Sequence, residues 1–195
     1  MGGFTSFGQV IPVTGPNVGF PGAVSRVGSP IIVARQSDPT NLTNLSFGEP
    51  AVLIGDSAGG MWKSVAEYVA DGGVAADITS KFAGIAVREV KTNLTYPIGV
   101  PGASQNIGYY APGEIAEVLE LGSITVHIAH GTPVADAPVY IRLTVNPAIP
   151  NAPVGGIEAA ADGGNTVLMP NARFRTGYLD ANSVAEITLL ARNAA

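Results

Sequence analysis

Ser57 is the side chain whose surroundings most suggest covalent chemistry. It lies in Gly55-Asp56-Ser57-Ala58-Gly59-Gly60, which fits G-x-S-x-G and follows the apolar run Ala51-Val52-Leu53-Ile54, the setting of a nucleophile elbow. A serine hydroxyl becomes a nucleophile when an imidazole takes its proton and a carboxylate orients that imidazole. The chain holds two histidines, His127 and His130, and Asp71 or Glu114 stands between them and the serine. The hydrolase fold with that chain order needs an alternating β/α pattern and more chain than remains here. The protease segment G-D-S-G-G fails on order too, because its histidine and aspartate precede its serine. A Gly-Asp-Ser turn between strands is the expectation.

The same stretch spaces Gly55 and Gly60 as a phosphate-binding loop does. Met61, however, stands where the lysine belongs, and Trp62 replaces the magnesium-holding hydroxyl. His127 and His130 have H-x-x-H spacing at a strand end, but no further ligand follows by spacing, so no metal is expected. Glu117 and Glu120 fall on opposite faces of a strand and do not form a glycosidase pair. Asn41-Leu42-Thr43, Asn44-Leu45-Ser46 and Asn93-Leu94-Thr95 match the glycosylation acceptor. With no secretory signal in Met1-Gly2-Gly3-Phe4-Thr5-Ser6-Phe7, they read as chance matches. The absence of cysteine removes thiol nucleophiles, disulfides and cysteine-held zinc. The expectation is a chain with no catalytic residues, cofactor or metal.

The elements around these residues point the same way. Only 13% of the 195 residues are charged, against roughly a quarter in ordinary domains. The chain also carries 25 glycines and 15 prolines. Such punctuation favours short strands and turns, and a surface with few charges fits either one covered by partners or simply a small-residue-rich β protein. Net charge is −5, and the ten basic residues are scattered, so no run can neutralise adjacent phosphates. Direct nucleic-acid binding is not expected, nor is a membrane span, since no apolar run nears the required ~20 residues.

Residues 1–50 read as an extended Gly/Pro-rich N-terminal arm. Gly15-Pro16, Phe20-Pro21-Gly22, Pro30, Pro39 and Pro50 interrupt any helix. Val10-Ile11 and Ile31-Ile32-Val33-Ala34 are strands or pieces laid on a neighbour, and Phe4, Phe7 and Phe20 are anchors such an arm would bury. Residues 51–195 read as a β-rich domain. Ala51–Ile54, Phe82–Val90, Ala116–Glu120, Ser123–Ile128, Val139–Val145 and Val184–Leu190 are the expected strands. In these, Ile124, Val126 and Ile128 share a face, as do Val139, Ile141 and Leu143. Met61–Ala70 fits a helical turn or a strand. The fold class expected is mainly β, an antiparallel β-barrel or jelly-roll-like sandwich preceded by the arm.

Three blocks carry a family resemblance. They are Gly19-Phe20-Pro21-Gly22-Ala23-Val24-Ser25-Arg26, Lys81-Phe82-Ala83-Gly84-Ile85-Ala86-Val87-Arg88-Glu89-Val90, and Pro170-Asn171-Ala172-Arg173-Phe174 running into the last strand. Tyr110-Ala111-Pro112-Gly113-Glu114, Gly122-Ser123-Ile124-Thr125-Val126 and Ala137-Pro138-Val139-Tyr140 lie between them. In this order the chain resembles the structural cement, or head decoration, proteins of tailed bacteriophages. The resemblance implies a non-enzymatic virion protein, assembled in the bacterial host cytoplasm as a dimer or trimer. It would bind the outer face of the capsid and clamp adjacent capsomers. Its partners would be the major capsid protein and further copies of itself. Phe4, Phe7, Phe20, Arg26 and Arg35 are the expected capsid or subunit contacts. A head-fibre base or a glycan-binding surface module is the alternative, favoured if Tyr109 and Tyr110 form an exposed aromatic cluster.

Overall fold

A computed structural model describes residues 18–25, 29–55, 59–89 and 108–192. In chain order they form β1 (Ile31–Gln36), β2 (Leu45–Ser46), β3 (Pro50–Ile54), β4 (Met61–Ser64), α1 (Val65–Ala70), α2 (Ala75–Lys81), β5 (Phe82–Ala86) and β6 (Tyr109–Tyr110). There follow β7 (Ile115–His130), β8 (Pro138–Arg142), β9 (Ile157–Glu158), β10 (Thr166–Phe174) and β11 (Val184–Leu189).

The 16-residue β7 organises the rest. Its second half pairs with β11 along one edge and with β9 along the other. Pairings β11 with β10, β10 with β8 and β8 with β9 close a five-stranded barrel, antiparallel except at β7–β9. The expected β-barrel is therefore present, with one parallel pair in it. Alternation explains the closure. Ile124, Val126 and Ile128 of β7 point inward and meet Ile187, Ala185, Ile141, Ile157 and Phe174, all buried. Branched and aromatic side chains at every second position fit a pleated, half-buried surface.

The first half of β7 lies between β1 and β5 in a smaller sheet that continues through β3 to β4. One face of this sheet adds Val52, Ile85 and Leu119 to the barrel-side core. Its other face builds a second core from Ala51, Trp62, Ala86, Ala116 and Val118, roofed by Leu45, Phe47 and Tyr110. The two halves of β7 meet at Gly122, whose φ is +123° and where a Cβ would come within 3.3 Å of Pro30 Cα.

Several sequence expectations change. Ala116–Glu120 and Ser123–Ile128 are one continuous strand, because Gly122 bends without ending it. Met61–Ala70 is both strand and helix. Ser64 sits at the junction and its Oγ accepts from Glu67 N at 3.1 Å, an N-cap that ends β4 and starts α1. Helix α2 lacks a side-chain cap and is held by Ile78, which is buried in the barrel-side core.

Gly84 is a sensitive point, since a Cβ there would run into the Leu119 carbonyl of β7. Gly84→Ala is expected to cost about 1–3 kcal/mol by overpacking, read as a lowered thermal midpoint. Gly164→Ala is the control: a Cβ there meets nothing within 4 Å, so its midpoint should stay close to the parent's.

Candidate functional site

The residues that first suggested chemistry are not assembled for it. Gly55 and Gly60 bracket the turn between β3 and β4, whose last antiparallel partners are Ile54 and Met61. This is a hairpin, not the strand-to-helix elbow that presents a nucleophile. Asp56, Ser57 and Ala58 lie outside the described residues. His127 is exposed on β7 opposite Val184. His130 Nδ1 lies 3.5 Å from Glu158 Oε2. Among the described residues no group of three or more His, Cys, Asp or Glu could hold a metal. Glu120 is taken by Arg192, whose Nε donates to it at 2.6 Å.

Tyr109 and Tyr110 do not form an exposed cluster. Tyr110 is fully buried, its ring meets Phe47 edge-on at 5.1 Å, and its hydroxyl donates to Val87 O at 2.9 Å. Burial raises its phenol well above the usual range. The feature that would favour a glycan surface is thus spent on the second core.

Most charges are spent internally as well. Lys63, on β4, reaches Asp38 at 3.0 Å and also pairs with Asp71. Burial alone would lower its pKa, but hydrogen bonds to Asp71 and Asp38 outweigh this and hold it above its ordinary value. Asp38 Oδ1 accepts from the backbone and hydroxyl of Thr40 at 2.9 and 2.7 Å. Glu67 accepts from Leu42 N and the Thr43 hydroxyl. Together these bonds fasten the loop after β1 onto β4 and α1. On the barrel, Arg142 and Glu158 are fully buried and paired, with Asp162 2.9 Å from the same guanidinium. Removing one member of such a pair leaves an uncompensated buried charge. That makes the pair a clasp on the 144–165 segment, with no route to a substrate.

What remains for a partner is surface. Phe4, Phe7 and Arg26 lie outside the described residues. Phe20 is 52% exposed, with the Arg88 guanidinium 4.7 Å from its ring centroid. Its strip is fixed to the barrel: Gly22 N donates to Thr125 O, Ser25 N to Ser123 O, and the Thr125 hydroxyl to Phe20 O. Arg35 is half-buried on β1, its guanidinium carbon 5.3 Å from the Trp62 ring centroid. Its Nε, together with Trp62 Nε1 and Ser37 Oγ, is buried without a hydrogen-bond partner. Orphaned buried groups of this kind cost about 1–3 kcal/mol each. Beyond its pairing with β7, β1 has no strand partner among the described residues, and Ile32 and Ile115 beside it are 39% and 60% exposed. Phe20 thus sits with Arg88, and Arg35 with Trp62. Sequence reasoning read Ile31–Ala34 as a strand or a piece laid on a neighbour but missed its open edge and the Trp62 stack, because the run Ile31-Ile32-Val33-Ala34 shows no alternation that would reveal either.

A family model described as structural cement protein (E217 gp24/Pam3 gp6) matches residues 9–190. Among solved structures, a chain of the capsid of Myoviridae phage XM1 is similar at 18% identity and a TM-score of 0.49. That match covers 87% of this chain and 89% of that one. No curated protein matches the chain.

The carboxylates that fix loops set an acid limit. Burial would raise Asp180, but backbone hydrogen bonds from Val184, Val18 and Asn182 hold it below its ordinary value. Asp38 is lowered too, the Thr40 and Lys63 bonds overcoming its burial. Folding then disfavours protonation, so their stabilisation is complete above the ordinary Asp range and is lost as pH falls through the depressed folded values. Glu49 runs the other way: burial raises it, so its contribution is present at low pH and fades as pH rises through its folded value. Asp180→Asn is expected to cost about 1–3 kcal/mol at neutral pH. It should also flatten the acid fall of the thermal midpoint, as checked by calorimetry across a pH series.

Proposed function

Because the chain belongs to the phage structural cement protein family, a structural and non-enzymatic class of capsid component, we propose that it binds the outer face of the capsid and bridges adjacent capsomers. The family match over residues 9–190 carries this reading. The low charge, the internal use of most ionic groups and the apolar edge of β1 support it. A shell under internal pressure is held at its seams, and a subunit seated across a seam adds buried area there. An interface of standard size buries roughly 1,600 Å², and repetition over the shell multiplies the effect as multivalency does.

In this reading the partners are the major capsid protein and further copies of the chain, as a dimer or trimer, without direct nucleic-acid contact. Phe4 and Phe7, with Arg26, contribute from the 1–50 arm, while Phe20 contributes from the strip on the barrel and Arg35 from β1. Assembly takes place in the bacterial host cytoplasm.

Two measurements test this. Quantitative mass spectrometry of purified particles should give a copy number comparable to that of the coat protein; a few copies per particle would refute the bridging role. Deleting residues 2–17 removes Phe4 and Phe7 but keeps the strip fastened to Thr125. The truncated protein should retain its thermal midpoint and occupy purified heads less fully. Full occupancy would rule out an anchoring arm.

A further inference from the structure

We propose that the open seam between β1 and β4 is a socket for a carboxylate on an extended segment of the shell protein, held by Arg35 against Trp62. The inference rests on the capsid-binding reading and names one contact within it. β1 and β4 touch where Ser37 bridges Trp62 and Asp38 N donates to Trp62 O at 2.9 Å. Before that point β1 pairs only with β7 among the described residues. Arg35 precedes Ser37 by two residues and so shares its face. A Cβ on the exposed Gly59 would lie 3.9 Å from Arg35 Nη1, which places the guanidinium between the Trp62 indole and Gly59.

The unmatched groups there are donors. Arg35 Nε and Trp62 Nε1 can only donate, and Ser37 Oγ can, and all three are buried without partners. Arg35 makes no ion pair among the described residues, unlike Lys63 on the opposite face of β4, which has Asp38 and Asp71. Nor is Asp38 free to serve, since its oxygens are taken by Thr40 and Lys63. A planar guanidinium stacked on an indole keeps its edge free for two parallel hydrogen bonds, which an acceptor-only carboxylate matches. The unpaired backbone edge of Ile31–Gln36 lets the segment bearing that carboxylate run beside β1. On the other face of the strand Ile32 and Ile115 offer apolar contact to the same segment's alternate side chains. The net charge of −5 gives no long-range attraction for an acidic segment, so recognition is local.

The test uses the full chain and purified heads stripped of it. Arg35→Met should keep the parent's thermal midpoint yet bind heads roughly thirtyfold more weakly, the loss expected when one partner of a buried charged contact is removed. Arg35→Lys, bound to heads and treated with a carbodiimide, should cross-link through that lysine to an aspartate or glutamate of the shell protein, identified by peptide mass spectrometry. Undiminished binding by Arg35→Met overturns the socket while leaving the capsid reading intact. So does a fall in its midpoint that accounts for the lost occupancy, or a cross-link only to a second copy of this chain. If the parent chain itself fails to bind, the capsid reading falls and takes the socket with it.

Discussion

The structure depends on β7 running unbroken through two sheets. A strand serves two neighbours along its whole length only if its backbone groups stay in register on both edges. Here the neighbours change midway. Val118 faces Val33 of β1 and Ala86 of β5, whereas Ile124 faces Ile187 of β11 and the bridge from Val24. Gly122 lets the strand turn at that change, and the lack of a Cβ there lets Pro30 approach. Had β7 ended at Gly122, the barrel and the small sheet would be separate, each with an open edge. Because it continues, the two cores share a wall, and a load on the small sheet passes directly into the barrel.

That arrangement explains how the charged residues are used. A chain so poor in ionic groups could keep them on its surface, yet Lys63, Glu67, Arg142 and Glu158 are buried. Each ties a loop to a regular element: residues 38–43 to β4 through Lys63 and to α1 through Glu67, and residues 144–165 to β8 and β9 through Arg142 and Glu158. Buried pairs of this kind add little net stability compared with apolar packing, but they are costly to half-break. Their effect is to hold loops in one place. The described surface keeps exposed apolar side chains such as Phe20, Ile32, Ile115 and Leu168, which suits recognition through area.

The sequence made the barrel legible where alternation was strict. Ile124, Val126 and Ile128, then Val139, Ile141 and Leu143, lie inward as the two-residue period requires. It failed where a second requirement overrode the period. Pro170 and Asn171 interrupt the pattern of β10, and Asn171 takes a φ of +53°, so the strand crosses a register shift that no periodicity announces. Arg142 reads as outward-facing, and it does leave the barrel interior. It is buried all the same, because a later segment folds over it, and a contact that distant in sequence leaves no local trace. The Ser64–Glu67 spacing was a capping signal inside an ambiguous run, legible once β4 is known to end there. The nucleophile pattern around Ser57 misled for a related reason: glycines needed for a hairpin turn also satisfy a motif that means a nucleophile only when a helix comes next.

The edge of β1 bears most directly on the proposed role. Unpaired strand edges invite association, and single-domain proteins blunt them with charge, proline or cover. Here the second half of β7 closes into a barrel and loses its edges, while β1, among the described residues, keeps one, with Ile32 and Ala34 on one face of the strand and Arg35 on the other. Ile31–Gln36 also sits on the spine strand, opposite Leu119 and Val118, so anything docked along it is one strand away from both cores. A grip there would load the most deeply buried part of the molecule and spare the loops. If the chain bridges a seam as proposed, that is where a contact would transmit force with the least local unfolding, since core strands open last.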